Sequence, residues 1–225
     1  MDDSDFMAAV ILGLLLFGPL VAAFWKSARD FRRPRADLFR LPLHDSFPKG
    51  ITVRPYQATD EKACLAIYAS NTEFVPPTPE LLTRSIDENP GTFFVAEIDG
   101  NIVACGGIVP APDKTYANLW MGLVEHNYHR QNIGTLMLLV RLALIEDLLN
   151  VVGLETTSKT EPFYQSFGFQ RCSQPEKRYL GEHSHFYMRC FVPKNQGKPI
   201  RAFLQKTKVV FAFDFDSFAR PRLPE

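Results

Sequence analysis

Several features that would assign this chain quickly are missing from it. Its four cysteines, Cys64, Cys105, Cys172 and Cys190, form no C-x-x-C pair, and no histidine cluster stands at metal-ligand spacing. That excludes the common zinc and dithiol frameworks and leaves no metal site to expect. The cysteines are expected to be reduced thiols, mostly buried as small hydrophobes. Charge of one sign is also missing, since 25 Lys and Arg balance 25 Asp and Glu. No basic-aromatic module of the kind that grips bases is present, so a nucleic-acid role finds no support. No internal repeat is evident. A length of 225 residues with 46% hydrophobic content fits one globular domain plus extensions.

Long apolar runs, by contrast, are present. Phe6 to Trp25 contains no charged residue and matches the roughly 20 residues needed to span a hydrocarbon core. Asp2, Asp3 and Asp5 precede it, and Lys26, Arg29, Arg32, Arg33, Arg35 and Arg40 follow. A cleaved signal peptide should begin with positive charge. The basic flank instead predicts a transmembrane anchor, residues 1–27, with the remainder of the chain in the cytosol. Pro19 is compatible with insertion as a kink, and a helix lying on the membrane lacks the polar face it would need. Residues 28–47 read as a basic, proline-punctuated linker along an anionic leaflet.

The second apolar stretch organises the rest. Ala117 to Val124 reads as a buried strand, Glu125 to Asn132 as a polar turn, and Ile133 to Leu149 as a helix with only Arg141, Glu146 and Asp147 as charges. Such a helix must be covered on most of its circumference. A strand entering a helix through a turn aims unpaired N–H groups and the positive end of the helix dipole at one small volume. That volume suits a phosphate. Gly134 permits close backbone approach, and Arg130, Gln131 and Asn132 can present amides and one cation to a pyrophosphate.

Around this unit, Ile51 to Pro55 reads as a strand, and Thr59-Asp60 caps a helix containing Cys64, Leu65, Ile67 and Tyr68. Glu80 to Glu88 is a second helix. Thr92 to Glu97 and Asn101 to Val109 are strands joined through Asp99-Gly100, a hairpin signal. Gly106-Gly107 predicts a bulge or the close approach of another backbone. Leu154 to Ser158 is extended. Lys177 to Leu180 and Phe186 to Val192 form a second expected hairpin. Residues 194–225 hold a basic segment and an alternating run, Val209 to Phe218, that reads as an added strand.

Two stretches resemble the GNAT family of acyl-CoA-dependent N-acyltransferases. The turn Tyr128-His129-Arg130-Gln131-Asn132-Ile133-Gly134-Thr135 is similar to the family's Arg/Gln-x-x-Gly-x-Gly/Ala, with His129 at the first position and Asn132 at the first glycine. Asn tolerates the left-handed backbone required there. Downstream, Phe163-Tyr164-Gln165-Ser166-Phe167-Gly168-Phe169 resembles the family's Phe-Tyr-x-x-x-Gly-Phe. Arg54-Pro55 followed by Asp60 is also how many members begin. The resemblance covers residues 48–193 and implies an α/β fold with a mixed, mostly antiparallel sheet flanked by helices, behind the N-terminal transmembrane helix.

The resemblance further implies acetyl-CoA or another acyl-CoA as donor and an amine as acceptor. Its pyrophosphate would lie on Arg130, Gln131, Asn132, Ile133, Gly134 and Thr135. The strand ending at Val124 would splay from its neighbour, with backbone groups of Leu123, Val124 and Glu125 facing the pantetheine arm and steadying the oxyanion. Tyr164 stands where the family places the donor to the leaving sulfur. Its ordinary pKa of about 10, above the roughly 8.5 of a thiol, suits hydrogen bonding to a developing thiolate. Many members use a carboxylate from the central strand as base, but here Asn118 and no acid occupies it. Glu125 is the nearest substitute, with Glu73, His183 and His185 as remoter options. Two other readings stay open: a degenerate domain that binds CoA or a protein partner without catalysis, and a membrane-tethered interaction scaffold.

Overall fold

Strand-forming runs assemble into one eight-stranded sheet in the computed structural model, which describes residues 39–42, 46–71, 73, 79–88, 91–110, 116–144, 151–173, 185–192 and 197–215. The strands are β1 Thr52–Pro55, β2 Phe93–Ile98, β3 Asn101–Pro110, β4 Tyr116–Val124, β5 Val151–Thr157, β6 Gln170–Arg171, β7 His185–Phe191 and β8 Val210–Phe211, in the order β6-β7-β5-β4-β3-β2-β1-β8. The β4–β5 and β1–β8 pairs are parallel. The remaining pairs are antiparallel. Five helices accompany them among the described residues: α1 Glu61–Ser70, α2 Glu80–Glu88, α3 Ile133–Ala143, α4 Glu161–Ser166 and α5 Gly197–Gln205.

Alternation along β2 sets the two cores. Phe93 and Val95 face α1 and α2, packing with Ile67, Tyr68, Leu82 and Ile86, whereas Phe94 and Ala96 face α3 and α5 with Leu136, Leu139, Ile200 and Leu204. With both faces covered, β2 is buried throughout Phe93 to Ala96. At the β2–β3 hairpin, Asp99 (φ 50°) and Gly100 (φ 78°) both take the left-handed backbone that a two-residue turn requires.

The Arg54-Pro55 and Asp60 pattern has a structural cause. Arg54 forks onto Asp60 through Nη1–Oδ2 at 2.6 Å and Nη2–Oδ1 at 3.0 Å, and its Nε reaches Glu97 at 3.1 Å. Asp60 also accepts the Gln57 N–H at 2.8 Å. One buried carboxylate thus fixes the end of β1, the 3-10 turn Ala58–Asp60 and the start of α1.

Some boundaries differ from expectation. Helix α3 ends at Ala143, not Leu149; Leu144 is its cap, and residues 145–150 lie outside the described residues. Strand β5 begins at Val151, before the Leu154 expected from sequence, because Val151 to Gly153 pair with β4 and β7. Lys177 to Leu180 also lie outside the described residues, and β7 is paired by β5 and β6. The basic segment near the C-terminus is helix α5, whose Ile200 and Leu204, one turn apart, are fully buried. Of the described part of the alternating run, residues 209–215, Val210 and Phe211 add to the sheet, beside β1; Phe213 and Phe215 cluster with Phe211.

The end of the stretch read as linker belongs to the fold. Phe39 is buried, stacks on Phe167 with ring centroids 6.2 Å apart, and donates its N–H to the Phe191 carbonyl. Phe6 to Trp25 lies outside the described residues. Among the described residues, no helix is long and apolar enough to cross a membrane.

Candidate active site

Strands β4 and β5 start as neighbours and part company. They pair only at Tyr116–Val151, Ala117–Val152 and Asn118–Gly153. Beyond that, β4 stays on β3 as far as Val124–Ala104, while β5 stays on β7 as far as Thr157–His185. Leu119 to Val124 therefore present one backbone edge to an open seam.

A bulge accompanies the opening. Cys105 registers with Leu123 but Gly107 with Trp120, so Met121 and Gly122 together oppose Gly106. Met121 takes a left-handed φ of 46°. The expectation attached to Gly106-Gly107 is met in both forms: a Cβ on Gly106 would lie 3.2 Å from the Gly122 Cα, and one on Gly107 would strike the Phe93 ring at 2.6 Å.

The backbone of the seam divides by alternation. The Glu125 N–H donates to the Val103 carbonyl at 2.8 Å and so points at β3. In an antiparallel ladder the flanking residue points the other way, which leaves the Val124 N–H toward the seam. The Val124 carbonyl is taken up, accepting from Asn71 Nδ2 at 2.9 Å and His129 Nε2 at 2.8 Å. Asn71 is itself buried. Leu123, in register with Cys105, is directed at β3 and buries its side chain toward α1. Of Leu123, Val124 and Glu125, the structure thus turns one N–H, that of Val124, into the opening.

The Glu125 carboxylate closes the next turn. Oε2 accepts the Asn127 N–H and Oε1 accepts Asn127 Nδ2, each at 3.0 Å. This places it as the cap of the 3-10 turn His126–Tyr128. Glu73 is paired with Lys159 at 2.6 Å. His185 lies on β7 with Nδ1 3.7 Å from Glu155 Oε1, and His183 is outside the described residues.

At the far end of the seam α3 begins. Asn132, its N-cap, holds the left-handed backbone with φ 63° and ψ 7°, and its side chain makes no capping bond. It donates instead to the Ser46 carbonyl at 2.9 Å. The opening N–H groups of the helix, on Ile133, Gly134 and Thr135, precede the first intrahelical bond from Leu136 N–H to Asn132 O. Arg130 (φ 60°) and Gln131 stand exposed beside them. The nearest neighbours of a Cβ on Gly134 would be Phe163 and Val124, at 3.7 and 3.8 Å. Both are ordinary contact distances, and the donors of this turn fit a pyrophosphate.

Tyr164 comes from α4, across the seam. Pro162 sits in the first turn, where its missing N–H costs nothing, and Gly168 (φ 93°) ends the helix so that the Phe169 N–H returns to the Tyr164 carbonyl at 3.2 Å. The Phe-Gly-Phe signature is thus a reversal that holds the tyrosine ring between Phe163 (4.9 Å) and Phe169 (5.7 Å). Among the described residues the phenol hydroxyl has no hydrogen-bond partner. Burial pushes its pKa above the ordinary tyrosine value, against the pull of the Arg141 cation, so it is a protonated donor at neutral pH.

Sequence reasoning missed three contributors: Asn71, the ring of His129 as a strand-end clamp, and Arg141. The signal for Arg141 was available as the single charge between Ile133 and Ala143. The other two depend on contacts across the fold.

Comparison with known proteins bears on the fold. Residues 89–171 match the family model of the acetyltransferase (GNAT) domain. No curated protein matches the chain. Among solved structures, Ard1 from Thermoplasma volcanium is similar at 22% identity and a TM-score of 0.57, covering 64% of this chain and 99% of that one. The ribosomal-protein-alanine N-acetyltransferase from Brucella melitensis is similar at 18% identity and a TM-score of 0.51, covering 62% of this chain and 98% of that one. At such identities the likeness to these structures is one of fold. The chain carries a domain of the GNAT acetyltransferase fold, matched by the family model from residue 89 to residue 171.

Proposed function

We propose that the chain transfers an acyl group from CoA to an amine. The observation that carries this is the unzipped β4–β5 seam, with a free β4 edge along it, an open helix N-terminus at one end and a half-buried tyrosine donor on the helix that follows β5. The donor supplies an activated thioester. Ile133, Gly134 and Thr135 would hold its pyrophosphate through backbone N–H groups, with Arg130 adding a cation. The exposed β4 edge would pair with the amide-bearing arm.

In the transfer, a bond forms between the amine nitrogen and the acyl carbon, the carbon–sulfur bond breaks, and the amine proton leaves to water. The Val124 N–H points where the oxygen gains charge. Tyr164 donates to the departing sulfur, and its raised pKa favours a hydrogen bond over full proton transfer. Since Glu125 is held by Asn127, the acceptor's first deprotonation is assigned to solvent instead of to that carboxylate.

Calorimetry with acetyl-CoA, followed by free-CoA release over an amine panel, tests the reading. Binding and turnover are expected. Binding without turnover on any amine would transfer the assignment to a CoA-binding domain without catalysis, and absence of binding would overturn both.

We further propose that residues 6–25 anchor the domain to a membrane, with the domain on the cytosolic side, on the strength of the uncharged run and its basic flank. The full chain should stay with membranes through a high-salt wash, and removal of residues 1–25 should release most of it. Digestion of the domain by protease added outside sealed cells would overturn the orientation.

A further inference from the structure

Helix α3 is apolar on nearly every side, yet it carries Arg141, which is only 3% exposed. Its Nε donates to the Met137 carbonyl one turn back, at 2.8 Å. A guanidinium has five N–H donors in a planar fork and is never neutral in a protein. Among the described residues, the four donors on Nη1 and Nη2 meet no acceptor, and no carboxylate pairs with the charge. A cation buried without a counter-charge costs several kcal/mol. Arg54, in the same sheet, has Asp60 and Glu97; Arg141 has neither.

Its position explains what it lacks. The fork lies directly under the bulge: a Cβ on Gly106 would be 3.2 Å from Nη1, and one on Gly122 would be 2.8 Å from Nη2. Two glycines, adjacent across β3 and β4, thus vacate the space the fork occupies. Gly122 is itself exposed, within the part of β4 that has left β5. The guanidinium therefore lies beneath the part of β4 that has left β5, close enough to Tyr164 and Cys105 for its charge to act on both. A purely structural filler for this space would be apolar, like the rest of the helix.

We propose that Arg141 pairs with a carboxylate of the substrate, so that one of the two reactants, acyl donor or amine acceptor, carries a free carboxylate near the reacting carbonyl. A carboxylate matches the fork in a planar, two-bonded pair. It neutralises the charge only when substrate is bound, which makes the pairing selective for the complex. This inference rests on the acyl-transfer reading and names its substrate class.

The test uses the full chain and matched pairs. In the donor arm, succinyl-CoA is compared with acetyl-CoA, by calorimetry and by free-CoA release with a fixed amine. In the acceptor arm, an amino acid is compared with its carboxamide, with acetyl-CoA as donor. One arm should favour the carboxylate by tenfold or more in Kd or kcat/KM, and which arm does so identifies the source. Arg141→Met should collapse that ratio toward one, with Arg141→Lys restoring part of it. Wild-type ratios within twofold in both arms would overturn the inference, as would a folded Arg141→Met protein that keeps the preference. Should Arg141→Met fail to melt cooperatively, the wild-type ratios still decide. Heat of binding without carboxylate preference would sink this inference alone; no heat with either CoA thioester would sink the acyl-transfer reading with it.

Discussion

The two halves of the sheet handle polar groups in opposite ways. Around β1, Arg54, Asp60, Glu97 and the Gln57 N–H satisfy one another at 2.6–3.1 Å. Near the β4–β5 seam, a strand edge and a helix N-terminus lack backbone partners, and among the described residues the Tyr164 hydroxyl and the Arg141 Nη groups have no acceptor or donor. Burying a polar group without a partner is destabilising, so Arg141, 3% exposed, carries a cost that Arg54 does not. Under the acyl-transfer reading proposed above, that difference separates residues that stabilise the fold from residues held ready for a ligand. Substitutions in the first set should change stability alone, and substitutions in the second should change binding or rate alone.

The largest effect is expected at Tyr164. Phe keeps the ring between Phe163 and Phe169 and removes only the unpartnered hydroxyl. Tyr164→Phe should lower turnover by about 10²- to 10⁴-fold while melting temperature and acyl-CoA affinity stay close to wild type. Loss of stability with unchanged turnover would show that the hydroxyl serves the core.

Asp60→Ala should do the reverse. Leaving Arg54 without its fork partner should lower unfolding free energy by about 3 kcal/mol, read from urea denaturation, with donor affinity unchanged in the folded protein. The same bridge gives an acid dependence. Burial pushes the Asp60 carboxyl up, but Arg54 and the Gln57 N–H outweigh it and hold the pKa below the ordinary value. The stabilisation is therefore complete above roughly pH 4, the unfolded value, and is lost as pH falls through the lower folded value. Asp60→Asn should flatten that part of the wild-type pH profile; an unchanged profile would remove Asp60 as its cause.

Gly134→Asp sits at the ligand end of the comparison. Only ordinary contacts await a Cβ there, so folding should survive, while a carboxylate among the helix N-terminal amides should weaken CoA binding about tenfold, or roughly 1.4 kcal/mol. An unchanged Kd would make the turn purely structural. The smallest effect is expected for Asn132→Gly. The left-handed backbone becomes easier but the bond to the Ser46 carbonyl is lost, and Kd for CoA should move by less than about threefold in either direction.

Much of the scaffold was legible because it follows from local pattern. Asp99-Gly100 demanded its turn, the continuous apolar runs became the doubly covered strands, and Gly168 between two phenylalanines marked the reversal that orients Tyr164. Asn132 in place of glycine was also legible, since few other side chains tolerate φ 63°. Helix α5 was not, because exposed Lys198 and, just beyond the helix, Lys206 and Lys208 masked the Ile200 and Leu204 pair. Nor was the occupation of Glu125. Its neighbour Asn127 is two residues away, but the choice between capping a turn and serving as a base depends on where the chain bends.

The sequence by itself determined that a strand, a tight turn and an apolar helix follow one another from Ala117 onward, since periodicity, Asn132 and Gly134 act over a few residues. Only the tertiary structure decided which groups remain free at their junction. Whether the Val124 N–H or the Glu125 N–H faces the seam depends on the β3 register, and whether Arg141 is paired depends on Gly106 and Gly122 reaching it from two other strands. Such outcomes are set by long-range pairing, in which a one-residue bulge redirects every backbone group beyond it.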